Sequence, residues 1–178
     1  MKYLVISDIH GSSHYLNKVL KKVNDYDKLI VLGDILYHGP RNDLPNEYNP
    51  KQITTILNNM KDKIIAVRGN CDAEVDLMVL DFEIKDFHWF KIENHLFYLT
   101  HGHKYNKDNI PCKRRKYTIL HGHTHVNKEY VVNEKVDVIN LGSLSIPKDS
   151  HYTYAIIENN LFNVFDLNTD ELITSIKL

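Results

Sequence analysis

The sequence predicts an α/β fold in which two packed sheets, flanked by helices, form a single domain over residues 1–178. Three observations carry this expectation. The N-terminal part alternates short apolar runs with stretches of helical periodicity, and the second half is a series of closely spaced short strands. The third is scale: 178 residues, 43% hydrophobic and 25% charged, suffice for one full core but not for two ordinary domains.

Tyr3-Leu4-Val5-Ile6 is apolar, partly β-branched and stops at Ser7-Asp8, the pattern of a buried strand. After Gly11, Ser12 or Ser13 can cap a helix carrying Leu16, Val19, Leu20 and Val23 on one face. Leu29-Ile30-Val31-Leu32 is a second buried strand, broken by Gly33-Asp34. The polar stretch from His38 to Asn49, with Gly39-Pro40 and Leu44-Pro45, reads as loop. Pro50 suits the first turn of a helix through Ile53, Ile56, Leu57 and Met60. Ile64-Ile65-Ala66-Val67 is the third strand and ends at Arg68-Gly69-Asn70. Strand–helix–strand–helix–strand is the signature of parallel βαβ units. Beyond Phe82, strands are expected at 89–93, 95–100, 117–121, 130–132, 136–140, 152–158, 161–166 and 172–177, with tight turns at Asn133-Glu134 and Asn159-Asn160.

Composition narrows the function classes. Lys and Arg number 22 against 23 Asp and Glu, a net charge of -1, so bulk charge favours no polyanion and long nucleic acid is an unlikely partner. Lys113-Arg114-Arg115-Lys116, the one charge run, reads as a solvated loop face. Two cysteines, Cys71 and Cys112, fit a reducing compartment. The first apolar run is shorter than a signal-peptide core, and no stretch approaches the roughly 18 apolar residues of a membrane helix. No membrane association is expected, and the expected location is the cytoplasm.

Eleven histidines is a high count, and they cluster as His101 with His103 and as His121, His123 and His125. The first three strands end in Asp8-Ile9-His10, Gly33-Asp34 and Gly69-Asn70-Cys71-Asp72, and two later ones end in Thr100-His101-Gly102-His103 and His121-Gly122-His123-Thr124-His125. In an open α/β sheet functional groups gather beyond the carboxyl ends of the strands, so these five ends deliver Asp, His and Asn to one rim. Asp8 and His10 are two apart, as are His123 and His125, so each pair can point one way in an extended exit. Carboxylate, imidazole and amide oxygen without a cysteine pair suit a borderline divalent metal such as Mn, Fe, Ni, Co or Zn. The donors are too many for one ion. Two ions about 3.5–4 Å apart sharing a carboxylate is the usual arrangement, and Asp34 is the best-placed bridge.

The ordered set Asp8-x-His10, Gly33-Asp34, Gly69-Asn70, His101 and Gly122-His123-x-His125 resembles the calcineurin-like metallophosphoesterase superfamily over nearly the whole chain. The segments 33–42, 68–72 and 142–148 are similar to the small bacterial YfcE-type phosphodiesterases. The resemblance implies a four-layer α/β/β/α sandwich of two mixed sheets. It implies one ion held by Asp8, His10, Asp34 and His125, and a second by Asp34, Asn70, His101 and His123, with a hydroxide bridging them. Two divalent ions per chain are therefore expected, manganese first, with Ni, Co, Fe or Zn as substitutes. The implied reaction is hydrolysis of a small phosphodiester to a monoester and an alcohol or phenol. Members of this group commonly self-associate, so a homo-oligomer is a further expectation.

Many superfamily members carry His where Cys71 stands, and that His assists the leaving oxygen. A thiol donates hydrogen bonds weakly, so activated esters are expected to be favoured. Cys71 and Arg41, which can reach a phosphate oxygen from the Gly39-Pro40 loop, complete the catalytic candidates with Asp34 and Asn70. Asp72 and His103 are expected to orient the ligating imidazoles from behind. His121 is assigned to its strand, and His14, His88, His95 and His151 to ordinary structural positions. Two alternatives stand beside the diesterase: a Vps29-like protein-binding scaffold on the same fold, in which the bridging Asp and the amide Asn are altered, and a phosphomonoesterase or nucleotidase at the same centre.

Overall fold

Strand boundaries follow the apolar runs closely in the computed structural model, which describes residues 1–178. β1 (Tyr3–Ile6) leads through Ser12, whose side chain accepts from Tyr15 N, into α1 (Ser13–Lys22). β2 (Lys28–Val31) is followed by the expected loop and then α2 (Pro50–Asn59), capped by Asn49 with Pro50 in its first turn. A short 3-10 turn at Lys61–Lys63 leads into β3 (Ile64–Val67). Two small elements follow that the sequence reading passed over, α3 (Glu74–Leu77) and β4 (Ile84–Lys85). Both are too short to show a period. The strand-rich half comprises β5 (His88–Ile92), β6 (His95–Leu99), β7 (Tyr117–His121), β8 (Lys128–Val131), β9 (Val136–Asn140), β10 (Thr153–Glu158), β11 (Leu161–Asp166) and β12 (Leu172–Lys177).

The strands form two mixed sheets. One has seven strands in the order β12-β11-β10-β1-β2-β3-β4, and the other five in the order β5-β6-β7-β9-β8. In the first, β1 to β4 run parallel and β10 joins β1 antiparallel. In the second, β6, β7 and β9 run parallel between antiparallel edges. The parallel strands of each sheet therefore end at one edge, where the polar motifs begin.

Side-chain alternation divides the core into layers. Leu4 and Ile6 of β1 pack with Leu16, Val19, Ile53 and Leu57 under α1 and α2. Tyr3 and Val5 face the other way, into the space between the sheets, with Phe97, Leu99, Leu120, Ile139 and Phe162. On the far face of the second sheet Tyr98, Tyr117, Ile119 and Val138 form a third cluster. The expected sandwich of two mixed sheets is present, but the layer over this last face is not a helix. Tyr105, Ile110 and Cys112 cover it from the irregular 101–116 segment, where Pro111 and the charge run suit a loop. No helix is long and apolar enough to cross a membrane.

Phe97 is fully buried between the sheets. Truncation by Phe97→Ala is expected to lower unfolding free energy by about 3–5 kcal/mol in urea melts.

Candidate metal centre

The loops leaving β1 and β2 are laced together before any side chain is considered. Asp8 N donates to Gly33 O at 3.1 Å, His10 N to Asp34 O at 2.9 Å and Gly11 N to Ile35 O at 2.9 Å. From the far side the 142–148 segment clamps the β1 exit, with Ser143 Oγ and Ser145 Oγ both donating to Asp8 O at 3.0 Å. Close backbone approach explains two glycines. A Cβ on Gly69 would overlap the Asp34 carboxylate, and one on Gly122 would overlap Ser7 Oγ and Asp8 Oδ2. Five of the expected ligands, Asp8, His10, Asp34, His123 and His125, have positive φ between 48 and 72° although none is glycine. Such backbone persists only where the surroundings over-determine it, and it clusters at functional sites.

The side chains converge from both sheets. His125 Nε2 lies 3.1 Å from Asp8 Oδ1, and His10 Nε2 lies 3.5 Å from the same oxygen and 3.6 Å from Asp34 Oδ2. On the other flank His101 Nε2 lies 3.2 Å from Asp34 Oδ2 and 3.1 Å from Asn70 Oδ1. Asp34 Oδ2 thus stands between the two groups, while its Oδ1 accepts from Cys71 N at 2.8 Å. His123 sits beside the second group, its ring 5.1 Å from that of His101, and its N–H donates to Asp8 Oδ2 at 3.0 Å.

Three backbone carbonyls set the imidazoles. Nδ1 of His10 lies 2.8 Å from Tyr37 O, that of His101 2.8 Å from Leu32 O and that of His125 2.9 Å from Ile146 O. A carbonyl can only accept, so each Nδ1 carries a proton and each ring turns its Nε2 inward, toward the carboxylates. Nε2 of His10 and of His125 then face each other at 3.1 Å. Beside them the buried Asp8 Oδ1 has no hydrogen-bond partner, so the site concentrates lone pairs where a proton or a cation would be shared. Asp8, His10 and His125 are one group able to hold a metal ion; Asp8, Asp34 and His101 are another. Carboxylate and imidazole donors of this kind fit a borderline divalent ion.

The expectation that Asp72 orients an imidazole gives way to a different role. Its buried carboxylate accepts from Asp34 N at 2.9 Å, Ile35 N at 2.7 Å and Gly69 N at 2.7 Å, so it fixes the backbone that presents Asp34. His103 likewise holds no ligand ring: its Nδ1 is buried without a partner, and its ring stands 5.6 Å from that of His101. The orienting groups are the carbonyls, which every residue carries and no sequence pattern marks. His121 belongs to β7, bonded through Nδ1 to Gly122 O, and burial pushes its pKa down to about 4.

The cleft over these residues has a volume of about 750 Å³, and Asn70, Cys71 and His123 line it together with Arg41 and Lys148. Lys148 was not singled out in the sequence, although its motif was; its N–H donates to His125 O at 2.8 Å. The Cys71 thiol is pushed up to about 12 by burial and by the nearby Asp34 carboxylate, so it stays protonated. Asp8 and Asp34 are ionised: burial opposes the charge, but the facing imidazoles hold both carboxyls below the usual range.

Residues 1–160 match the family model described as the calcineurin-like phosphoesterase superfamily domain. Phosphodiesterase YfcE of Escherichia coli (strain K12) is 37% identical over 184 aligned residues, which cover 100% of this chain and 98% of that protein. The solved structure of that E. coli phosphoesterase superposes with a TM-score of 0.92 at 37% identity over 99% of each chain. Vacuolar Protein Sorting 29 from Cryptosporidium parvum shares the fold, with a TM-score of 0.63 and 14% identity over 99% of this chain and 98% of that one.

The electrostatics set a pH dependence for ion uptake. Burial disfavours the charge on His101, but Asp8 and Asp34 outweigh it and raise its pKa to about 9 in the metal-free protein. A metal takes only the unprotonated ring, so binding must displace that proton. Affinity for Mn or Zn is expected to rise with pH up to about 9 and then flatten. Calorimetry at neutral pH in buffers of different ionisation enthalpy should register proton release on loading.

Proposed function

Because the chain belongs to the calcineurin-like phosphoesterase superfamily, we propose that it is a phosphoric diester hydrolase acting on a small phosphodiester with the help of two divalent ions. One observation carries the reading. Carboxylates and inward-facing Nε2 atoms from both sheets meet around Asp34 Oδ2, where only a shared proton or cation reconciles them.

In this reading Asp8, His10, Asp34 and His125 hold one ion, and Asp34, Asn70, His101 and His123 hold the other. Manganese heads the expected metals, with Ni, Co, Fe and Zn accepted by the same donors. Bound ions supply the charge that makes water a nucleophile near neutral pH and that offsets the phosphate. The chain's own residues do the rest. Asp34 contributes the shared negative charge. The carbonyls of Leu32, Tyr37 and Ile146 keep three imidazoles in one tautomer and one orientation. Arg41 and Lys148 present positive charge on the cleft wall, where phosphate oxygens must lie.

Cys71 is neither nucleophile nor strong acid. Its thiol keeps its proton and offers only a weak hydrogen bond to a leaving oxygen. Esters with good leaving groups are accordingly favoured. The scaffold alternative expects altered residues at the bridging and amide positions, but Asp34 and Asn70 stand there unaltered. The monoesterase alternative predicts that a monoester turns over as fast as its matched diester.

Bis(4-nitrophenyl) phosphate should be hydrolysed in the presence of Mn or Ni and faster than 4-nitrophenyl phosphate; no turnover at any pH would favour the scaffold. Asp34→Asn should reduce kcat by about a hundredfold or more and lower the ion content measured by elemental analysis. Cys71→His should leave ion content unchanged and raise rates for alkyl relative to nitrophenyl leaving groups by roughly tenfold or more. Equal rates across both ester types in that variant would make Cys71 a passive filler.

A further inference from the structure

A second cleft, about 510 Å³ in volume, opens directly beside the polar one. Tyr37 and Ala73 line both, so the two spaces share a wall. Their chemistry is opposite. The first is walled by His, Asp, Asn, Arg and Lys; the second is mostly apolar, with Leu36, Tyr37, Tyr48, Val75 and Val79, although Lys51 and Asp76 also line it. The shared wall is not free to drift, because the Tyr37 carbonyl accepts from His10 Nδ1 at 2.8 Å. Tyr48 is seated just as firmly: a Cβ on Gly11, where φ is +80°, would overlap its ring.

The apolar wall is also unusually open to water. Val75 is 64% exposed, Val79 45% and Tyr37 40%. Contiguous apolar surface at the mouth of a polar site marks a place where an apolar group binds. We propose that this cleft is a substrate subsite that receives one apolar ester arm, aryl or alkyl, of a phosphodiester whose phosphate occupies the neighbouring polar cleft. The proposal rests on the phosphodiesterase reading and narrows it to diesters with at least one apolar arm. Tyr37 offers an aromatic face to such an arm and Val75 and Val79 offer aliphatic contact, while Arg41 and Lys148 face the phosphate side. The shared Tyr37 and Ala73 wall puts the cleft next to the phosphate site, which favours a part of the substrate over a separate partner.

Two variants test this at different lining residues: Val79→Asp places a charge in the cleft, and Thr54→Trp, at a threonine that also lines it, fills it. Each is compared with wild type on bis(4-nitrophenyl) phosphate and on glycerophosphoglycerol, a diester with two polar arms, in the presence of Mn. Taking variant-to-wild-type ratios for each ester cancels the difference in leaving-group chemistry. The expected result is that kcat/KM for the apolar ester falls at least about tenfold more than that for the polar one, chiefly through KM, the low end of what a hydrophobic pocket contributes to discrimination. Variants that slow both esters alike overturn the subsite while leaving the hydrolase reading intact. A Val79→Asp protein that loses self-association by light scattering and slows both esters alike assigns the cleft to a second copy of the chain, and likewise overturns it. Wild-type protein that hydrolyses neither ester removes the diesterase reading and the subsite together.

Discussion

Two buried carboxylates face three imidazoles whose outer nitrogens are already committed, and only a shared proton or cation reconciles them. That constraint organises the molecule. Each Nδ1 proton is spent on a carbonyl of Leu32, Tyr37 or Ile146, so every Nε2 is turned toward Asp8 or Asp34. Burial makes the conflict expensive, because charge and unpaired polar atoms cost most where water is absent. The two-sheet architecture exists around this point in the sense that strands from both sheets must end there. Sliding one sheet by a residue would separate His101 and His125 from Asp34 and Asp8.

The outer surroundings divide the labour differently. Asp72 spends its carboxylate on three backbone amides of the Asp34 and Gly69 turns, and so acts on geometry rather than on charge at the centre. The serines of the 142–148 segment do the same for the β1 exit. With these supports polar and inward, the adjoining apolar cleft stands out as surface with no structural obligation. In the proposed reading the polar cleft takes the phosphate that all such esters share, and the walls next to it meet the arms in which they differ.

Much of this was legible in the chain. Strand runs such as Tyr3–Ile6 and Tyr117–His121 were bounded by their own polar ends, and side-chain period separated the faces. The convergence of the Asp, His and Asn motifs was readable because βαβ order places parallel strand ends together. Other features were not readable, for specific reasons. α3 and β4 span four and two residues, too few for any period to appear. The outer layer was expected to be helical by resemblance, yet Tyr105, Ile110 and Cys112 cover it from a loop, and no sequence period distinguishes the two. The partners of Asp72 were hidden because a carboxylate's place along the chain says nothing about which donors its oxygens meet. The carbonyl tethers were invisible in principle, since the backbone is the same at every position.

The left-handed backbone at Asp8, His10, Asp34, His123 and His125 has a consequence for ancestry. Each such residue costs the fold of order 1–3 kcal/mol relative to relaxed backbone. Gly tolerates the same torsions at lower cost. A lineage that abandoned hydrolysis could therefore exchange these residues one at a time for Gly, each step easing the main chain as chemistry was surrendered. Inactive descendants with the same outline are a downhill path for this architecture.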